Sequence, residues 1–139
     1  MSVQAVLLPV FVQVALVFAL GFWLGGSRLR AARRGEIKVI DQATLQAEWP
    51  RQPTLLSNCF KNQFEAPVLF YALVALAMIT RQTDLLFVIL SWVFVVSRLG
   101  HAAIFTTSNK LSLRFGFYLI GILALVAMWI IFAIRILAA

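Results

Sequence analysis

The chain has 139 residues, 63% of them hydrophobic and 12% charged, with a mean hydropathy of +0.96. That composition excludes an ordinary soluble domain, and a formal net charge of +7 in so apolar a chain marks membrane topology and anionic headgroups rather than nucleic acid. The single cysteine, Cys59, excludes an internal disulfide.

The first apolar stretch, Ala5–Trp23, predicts a membrane span over about residues 4–27. No Lys or Arg precedes it and arginines follow directly, which favours a retained helix over a cleaved signal. Pro9 can bend this helix, and Gln13 in mid-span is expected to hydrogen-bond a neighbouring helix. Ser27–Thr54, with mixed charge, Gly35, Pro50 and Pro53, reads as a loop carrying a short interfacial helix around Gln42–Trp49.

The second stretch, Ala66–Ile79, reaches spanning length only by extending back through Glu65 and Asn62, giving a helix over about 55–80. On one continuous helix Asn58, Asn62 and Glu65 fall at i, i+4 and i+7 and share a face. Lys61 and Glu65 are spaced to pair, and Pro67 frees the carbonyl of Gln63. The third span, about 84–106, combines the apolar run Leu85–Val96 with Arg98, His101 and Phe105 on one face. The fourth, about 112–137, contains the stretch Leu113–Leu137 and opens with Arg114 and Tyr118 one turn apart, followed by Gly121, where a partner backbone can approach closely.

Backbone groups in hydrocarbon must be satisfied internally, so the reading is an all-α, four-helix up-down membrane bundle forming one domain over 1–139. Short connections make neighbouring helices antiparallel, so Arg28, Asn58, Asn62, Glu65, Arg98, His101, Arg114 and Tyr118 all fall at one end. The long first loop is rich in Lys and Arg, which predicts that this end is cytoplasmic and both termini lie outside.

Each arginine near a helix end can also snorkel to headgroups without further purpose. Glu65 is too short for that and requires a partner, with Arg98, Arg114 and Lys61 as candidates. The alternatives for Glu65 are a structural ion pair and one arm of a polar-ligand site. For His101, interhelical hydrogen bonding is expected. No metal-ligand spacing, phosphate loop or nucleophile motif is present.

Arg28-Leu29-Arg30 after the first helix, Asn62-Gln63-Phe64-Glu65 opening the second, Arg98-Leu99-Gly100-His101 closing the third, and Arg114 with Tyr118 opening the fourth resemble the MAPEG family of eicosanoid and glutathione metabolism. The stretch Asn62–Tyr71 is most similar to bacterial members. The resemblance implies a homotrimer in a bacterial inner membrane, with glutathione bound between subunits as cosubstrate. It implies contacts from Arg28, Asn62, Glu65, Arg98, His101 and Tyr118, with Arg114 as the catalytic residue stabilising a thiolate. The implied activity is a glutathione S-transferase or peroxidase acting on lipophilic electrophiles or hydroperoxides. Phe115, Phe105 and Asn58 stand where the eicosanoid-forming members have polar or basic residues. That departure keeps a second function in view, a non-enzymatic scaffold that binds lipid or another apolar ligand. A small multidrug exporter would depend on a carboxylate in the first helix, and none is there.

Overall fold

The computed structural model describes residues 1–139. Five helices and one hairpin follow in the order α1 (Val3–Arg33), β1 (Lys38–Asp41), β2 (Gln46–Glu48), α2 (Arg51–Asn62), α3 (Ala66–Ile79), α4 (Leu85–Thr106) and α5 (Leu111–Leu137). Counting α2 and α3 as one span, Arg51–Ile79, four segments are long and apolar enough to cross a membrane. The protein is therefore a multi-pass, all-α membrane bundle with one small β-hairpin appended.

α1 begins on Ser2, whose Oγ accepts from the backbone N–H of Ala5 at 3.2 Å. It runs six residues past the expected end at 27, because nothing in Ser27–Arg33 breaks a helix and Arg30 and Arg33 suit its last turn. Gly35, at φ +67°, then turns the chain away. At about 1.5 Å per residue its 31 residues span about 46 Å, well beyond a hydrocarbon core of about 30 Å.

The expected interfacial helix around Gln42–Trp49 is absent. That segment instead folds back as β2 against β1, pairing Lys38 with Glu48, Val39 with Ala47 and Asp41 with Gln46, with an irregularity at Ile40. Local chemistry favours the turn. Asp41 Oδ1 accepts from the N–H of Ala43 at 2.9 Å, and Leu45 takes a left-handed φ of 59°.

The second span is also not one helix. α2 ends at Asn62, Gln63 and Phe64 donate to carbonyls three residues back, and Glu65 has ψ −108° before α3 starts. Pro67 lacks an N–H, and a restart with proline in the first turn avoids the clash that a continuous helix would carry. The Gln63 side chain crosses the break, its Nε2 donating to the Cys59 carbonyl at 3.0 Å.

α4 is the central helix, packing most extensively on α5 and also touching α1 and α2. The larger core cluster joins Val6 of α1, Phe70 and Leu73 of α3, Phe94 and Val95 of α4, and Leu125 and Met128 of α5. The Phe70 and Phe94 rings lie 4.8 Å apart. A smaller cluster of Leu20, Leu24, Leu56, Cys59 and Ala102 fills the other end. On α1 the two are separated by Gln13, fully buried, whose Nε2 donates to Gln63 Oε1 at 2.9 Å. The expected interhelical bond of Gln13 is thus formed, and its partner lies at the helix break. Close approach of α4 and α5 depends on Gly121, since a Cβ there would overlap the Ser97 hydroxyl. Large apolar side chains such as Phe11, Phe18, Phe22 and Ile130 face outward, as lipid-facing positions do.

Candidate functional site

The polar residues at the loop-bearing end of the bundle fall into two groups. The first centres on Arg98, which is 2% exposed although it carries a guanidinium. Its Nη2 donates to Asn62 Oδ1, and Asn62 Nδ2 donates to Glu65 Oε2 at 3.1 Å. The carboxylate therefore reaches the arginine through an amide rather than by a direct ion pair.

Neither of the other expected pairings of Glu65, with Lys61 or with Arg114, is made; the structure holds one ion pair, Asp84–Arg135, at the opposite end. The physical reason is the break after Asn62. It takes Glu65 off the α2 face and leaves it exposed in the turn, whereas an unbroken helix would have kept it in line. Arg98 Nε remains buried with no partner.

Beside this relay stands a row of rings. His101 is buried on α4, its ring 5.7 Å from Phe105 and 6.0 Å from Tyr118. The hydrogen bond expected across helices is not found at His101 Nδ1, which is buried without a partner. Aromatic packing positions the imidazole instead. Arg114, in the first turn of α5, lays its guanidinium over the Phe105 ring at 4.7 Å and donates to Asn109 Oδ1 at 2.8 Å. Asn109 holds a left-handed φ of 49° in the α4–α5 connection, a conformation its short polar side chain tolerates.

Phe105 and Asn109 are therefore the seat of Arg114, and neither was singled out for that role from the sequence. The available signal was an asparagine in a tight connection directly before an arginine-bearing helix. Phe115 points outward and is more than half exposed.

Arg28 belongs to the second group, which also takes in Asn58 and Lys61. Its Nη2 donates to Ser57 Oγ at 3.2 Å, and its guanidinium stacks on the Trp49 ring at 5.1 Å. Its Nε is buried and unpartnered. Arg28, Ser57, Asn58 and Lys61 line an open cavity of about 650 Å³ bordered by the hairpin. Arg28 makes no bond to Arg98, Arg114 or Glu65 within the protomer, so the expected single cluster is two neighbouring sites. A separate apolar groove of about 460 Å³ opens between α1 and the helix break, lined by Phe18, Phe22, Phe60 and Phe64, with Gln63 and Tyr71 as its polar members.

Four groupings thus sit near one end of the bundle: a guanidinium relay, a guanidinium seated on an aromatic ring beside a histidine and a tyrosine, the Arg28 cavity, and an apolar groove on α1. This arrangement suits a polar anionic molecule meeting an apolar one at the membrane boundary. No group of His, Cys, Asp and Glu side chains is placed to hold a metal ion. No curated protein and no solved structure matches the chain significantly. The sequence does match the MAPEG family from residue 6 to residue 134, taking in the hairpin and all of the helices but the first three residues of α1 and the last three of α5, and the chain belongs to that family.

Proposed function

We propose that this protein is a membrane-bound glutathione S-transferase or peroxidase acting on lipophilic electrophiles or hydroperoxides. Membership of a family that includes such enzymes supports the reading. The observation that carries it is the seating of Arg114: Phe105 and Asn109 hold one side of the guanidinium, leaving its remaining donors for a ligand.

The residues present fit glutathione chemically. Arg98 offers a buried, unpartnered N–H to a carboxylate, and exposed Glu65 suits an ammonium group. In this reading Asn62, His101 and Tyr118 are the further polar contacts, Asn62 bonded to both Arg98 and Glu65 and the Tyr118 ring 6.0 Å from His101. Bound glutathione would bring a thiol that ionises poorly at neutral pH, with an ordinary pKa of about 8.5. Arg114 beside that sulfur favours the charged, nucleophilic form and holds the proton balance toward thiolate. Arg28 faces its own cavity, so in this reading it approaches the thiol site only from a neighbouring subunit of a homotrimer. The membrane is a bacterial inner membrane, with the arginine-rich loop cytoplasmic and both termini outside.

The test uses protein purified in mild detergent. Glutathione should raise the melting temperature, since a ligand of the native state raises apparent stability. The wild type should conjugate a chlorodinitrobenzene substrate, and Arg114→Ala should abolish turnover. Inactive wild type with no glutathione-induced shift overturns the reading. The second reading, a non-catalytic lipid-binding scaffold, is favoured by one observation, the outward-facing apolar ring of Phe115 directly beside Arg114. It predicts stabilisation by lipophilic ligands and no conjugation by either protein.

A further inference from the structure

We infer that Trp49 is a positioning residue of the thiol site, holding the Arg28 guanidinium in the orientation that receives a carboxylate of the ligand; this rests on the glutathione reading above, in which Arg28 serves the site from a neighbouring subunit. Trp49 directly follows β2, and its ring centre lies 5.1 Å from the guanidinium carbon of Arg28. Its backbone is fixed from the α2 side. Pro50 restricts the residue before it to extended conformations, and the Thr54 hydroxyl donates to the Trp49 carbonyl at 3.3 Å. The hairpin and the first turn of α2 thus hold the indole in place before any ligand arrives.

Stacking does for an arginine what an ion pair does not. A guanidinium restrained by its face keeps its in-plane N–H donors. Arg28 gives one donor to Ser57 Oγ at 3.2 Å, and its buried Nε has no partner. Glu48, the one carboxylate lining the cavity, makes no ion pair with it. The charge is therefore oriented yet uncompensated, the condition that favours an incoming carboxylate.

Arg114 is built the same way, with the Phe105 ring at 4.7 Å and Asn109 Oδ1 at 2.8 Å. Two arginines assigned to one ligand are each restrained by an aromatic face and a neutral oxygen, and neither is bound to a carboxylate. An arginine that only reached for headgroups would need no such seat.

The experiment compares wild type, Trp49→Leu and Trp49→Phe as full-length protein in mild detergent, with conjugation rates measured against glutathione concentration. Trp49→Leu should raise KM for glutathione on the order of fivefold, the scale of one cation–π contact. Its kcat should change little, because Arg114 and not Arg28 meets the sulfur. Trp49→Phe keeps a π face and should recover most of the affinity. Loss of folded protein lowers apparent kcat and leaves KM alone, so misfolding cannot imitate this pattern. Glutathione should also change the indole emission of the wild type, and that change should vanish in Trp49→Phe. If Trp49→Leu does not fold, this emission difference decides alone. Unchanged KM in Trp49→Leu, a Trp49→Phe no better than Trp49→Leu, or an emission change retained by Trp49→Phe overturns the role of Trp49 and leaves the glutathione reading standing. Wild type that neither binds nor conjugates glutathione overturns both.

Discussion

The guanidinium of Arg114 rests 4.7 Å above the centre of the Phe105 ring, joining the first turn of α5 to the last turn of α4. In sequence terms Phe105 is a polar group lost. In the folded chain it is a flat apolar platform that restrains a cation by its π face, and Asn109 Oδ1 restrains it from a second direction. Two restraints of different chemistry leave little rotational freedom to the one side chain proposed to meet the reacting sulfur.

That seat can be tested apart from Arg114 itself. Asn109→Gly keeps the left-handed backbone and removes the acceptor. Turnover in the conjugation assay should fall about tenfold, equivalent to about 1.4 kcal/mol, with a smaller change in KM for glutathione. Asn109→Asp, which keeps both the backbone preference and the acceptor, should restore most of it. Equal activity in all three proteins would show that Arg114 needs no seat.

The buried glutamines should be unequal. Gln13→Ala removes one interhelical hydrogen bond, a loss of about 0.6–1.7 kcal/mol for such bonds in membrane proteins. Gln63→Ala removes the same bond and also uncovers the Cys59 carbonyl at the helix break, adding roughly 1–3 kcal/mol. Unfolding titrations in detergent should rank Gln63→Ala as the more damaging change.

Gly121 should resist even the smallest enlargement. A Cβ at this position meets the Ser97 hydroxyl, so Gly121→Ala should cost about 1–3 kcal/mol by forcing α5 away from α4. Adding Ser97→Gly opens the space and should recover much of that loss. A double variant as unstable as Gly121→Ala alone would place the strain elsewhere.

At the opposite end, Asp84 accepts from Arg135 at 2.6 Å and caps α4 by accepting from the Phe87 N–H at 2.9 Å. The Arg135 hydrogen bond, followed by the Phe87 one, holds the Asp84 carboxyl below its ordinary pKa of 3.8. A lowered carboxyl pKa contributes stability that is complete above the unfolded value and is lost as pH falls through the folded one. Stability from this clasp should therefore be flat from neutrality down to about pH 4 and decline below it. Asp84→Asn should be less stable at neutral pH and lose that acid-side decline, as read by melting temperature against pH.

Much of the architecture is written in local properties. Hydropathy marks four spans, because transfer of a twenty-residue segment into hydrocarbon depends on that segment's own composition. Short connections at Thr80–Asp84 and Thr107–Lys110 dictate antiparallel neighbours, which brings the chemically unusual residues to one end. Arg98, His101, Asn62 and Tyr118 stand out from sequence alone because polar groups in a span are costly and therefore few.

Only the tertiary structure decided how those groups are divided. Extending the second span back through Glu65 assumes an unbroken helix, yet Pro67 and the turn before it carry the carboxylate outward and interpose Asn62 between it and Arg98. Arg28 pairs with Ser57 and Trp49 because the loop folds back as a hairpin, which depends on strand pairing that no helical period reveals. The bond between Gln13 and Gln63 joins residues 50 apart. The division follows from the range of the interactions: membrane insertion is settled segment by segment, whereas the partner of a buried polar group is settled by which helices pack together.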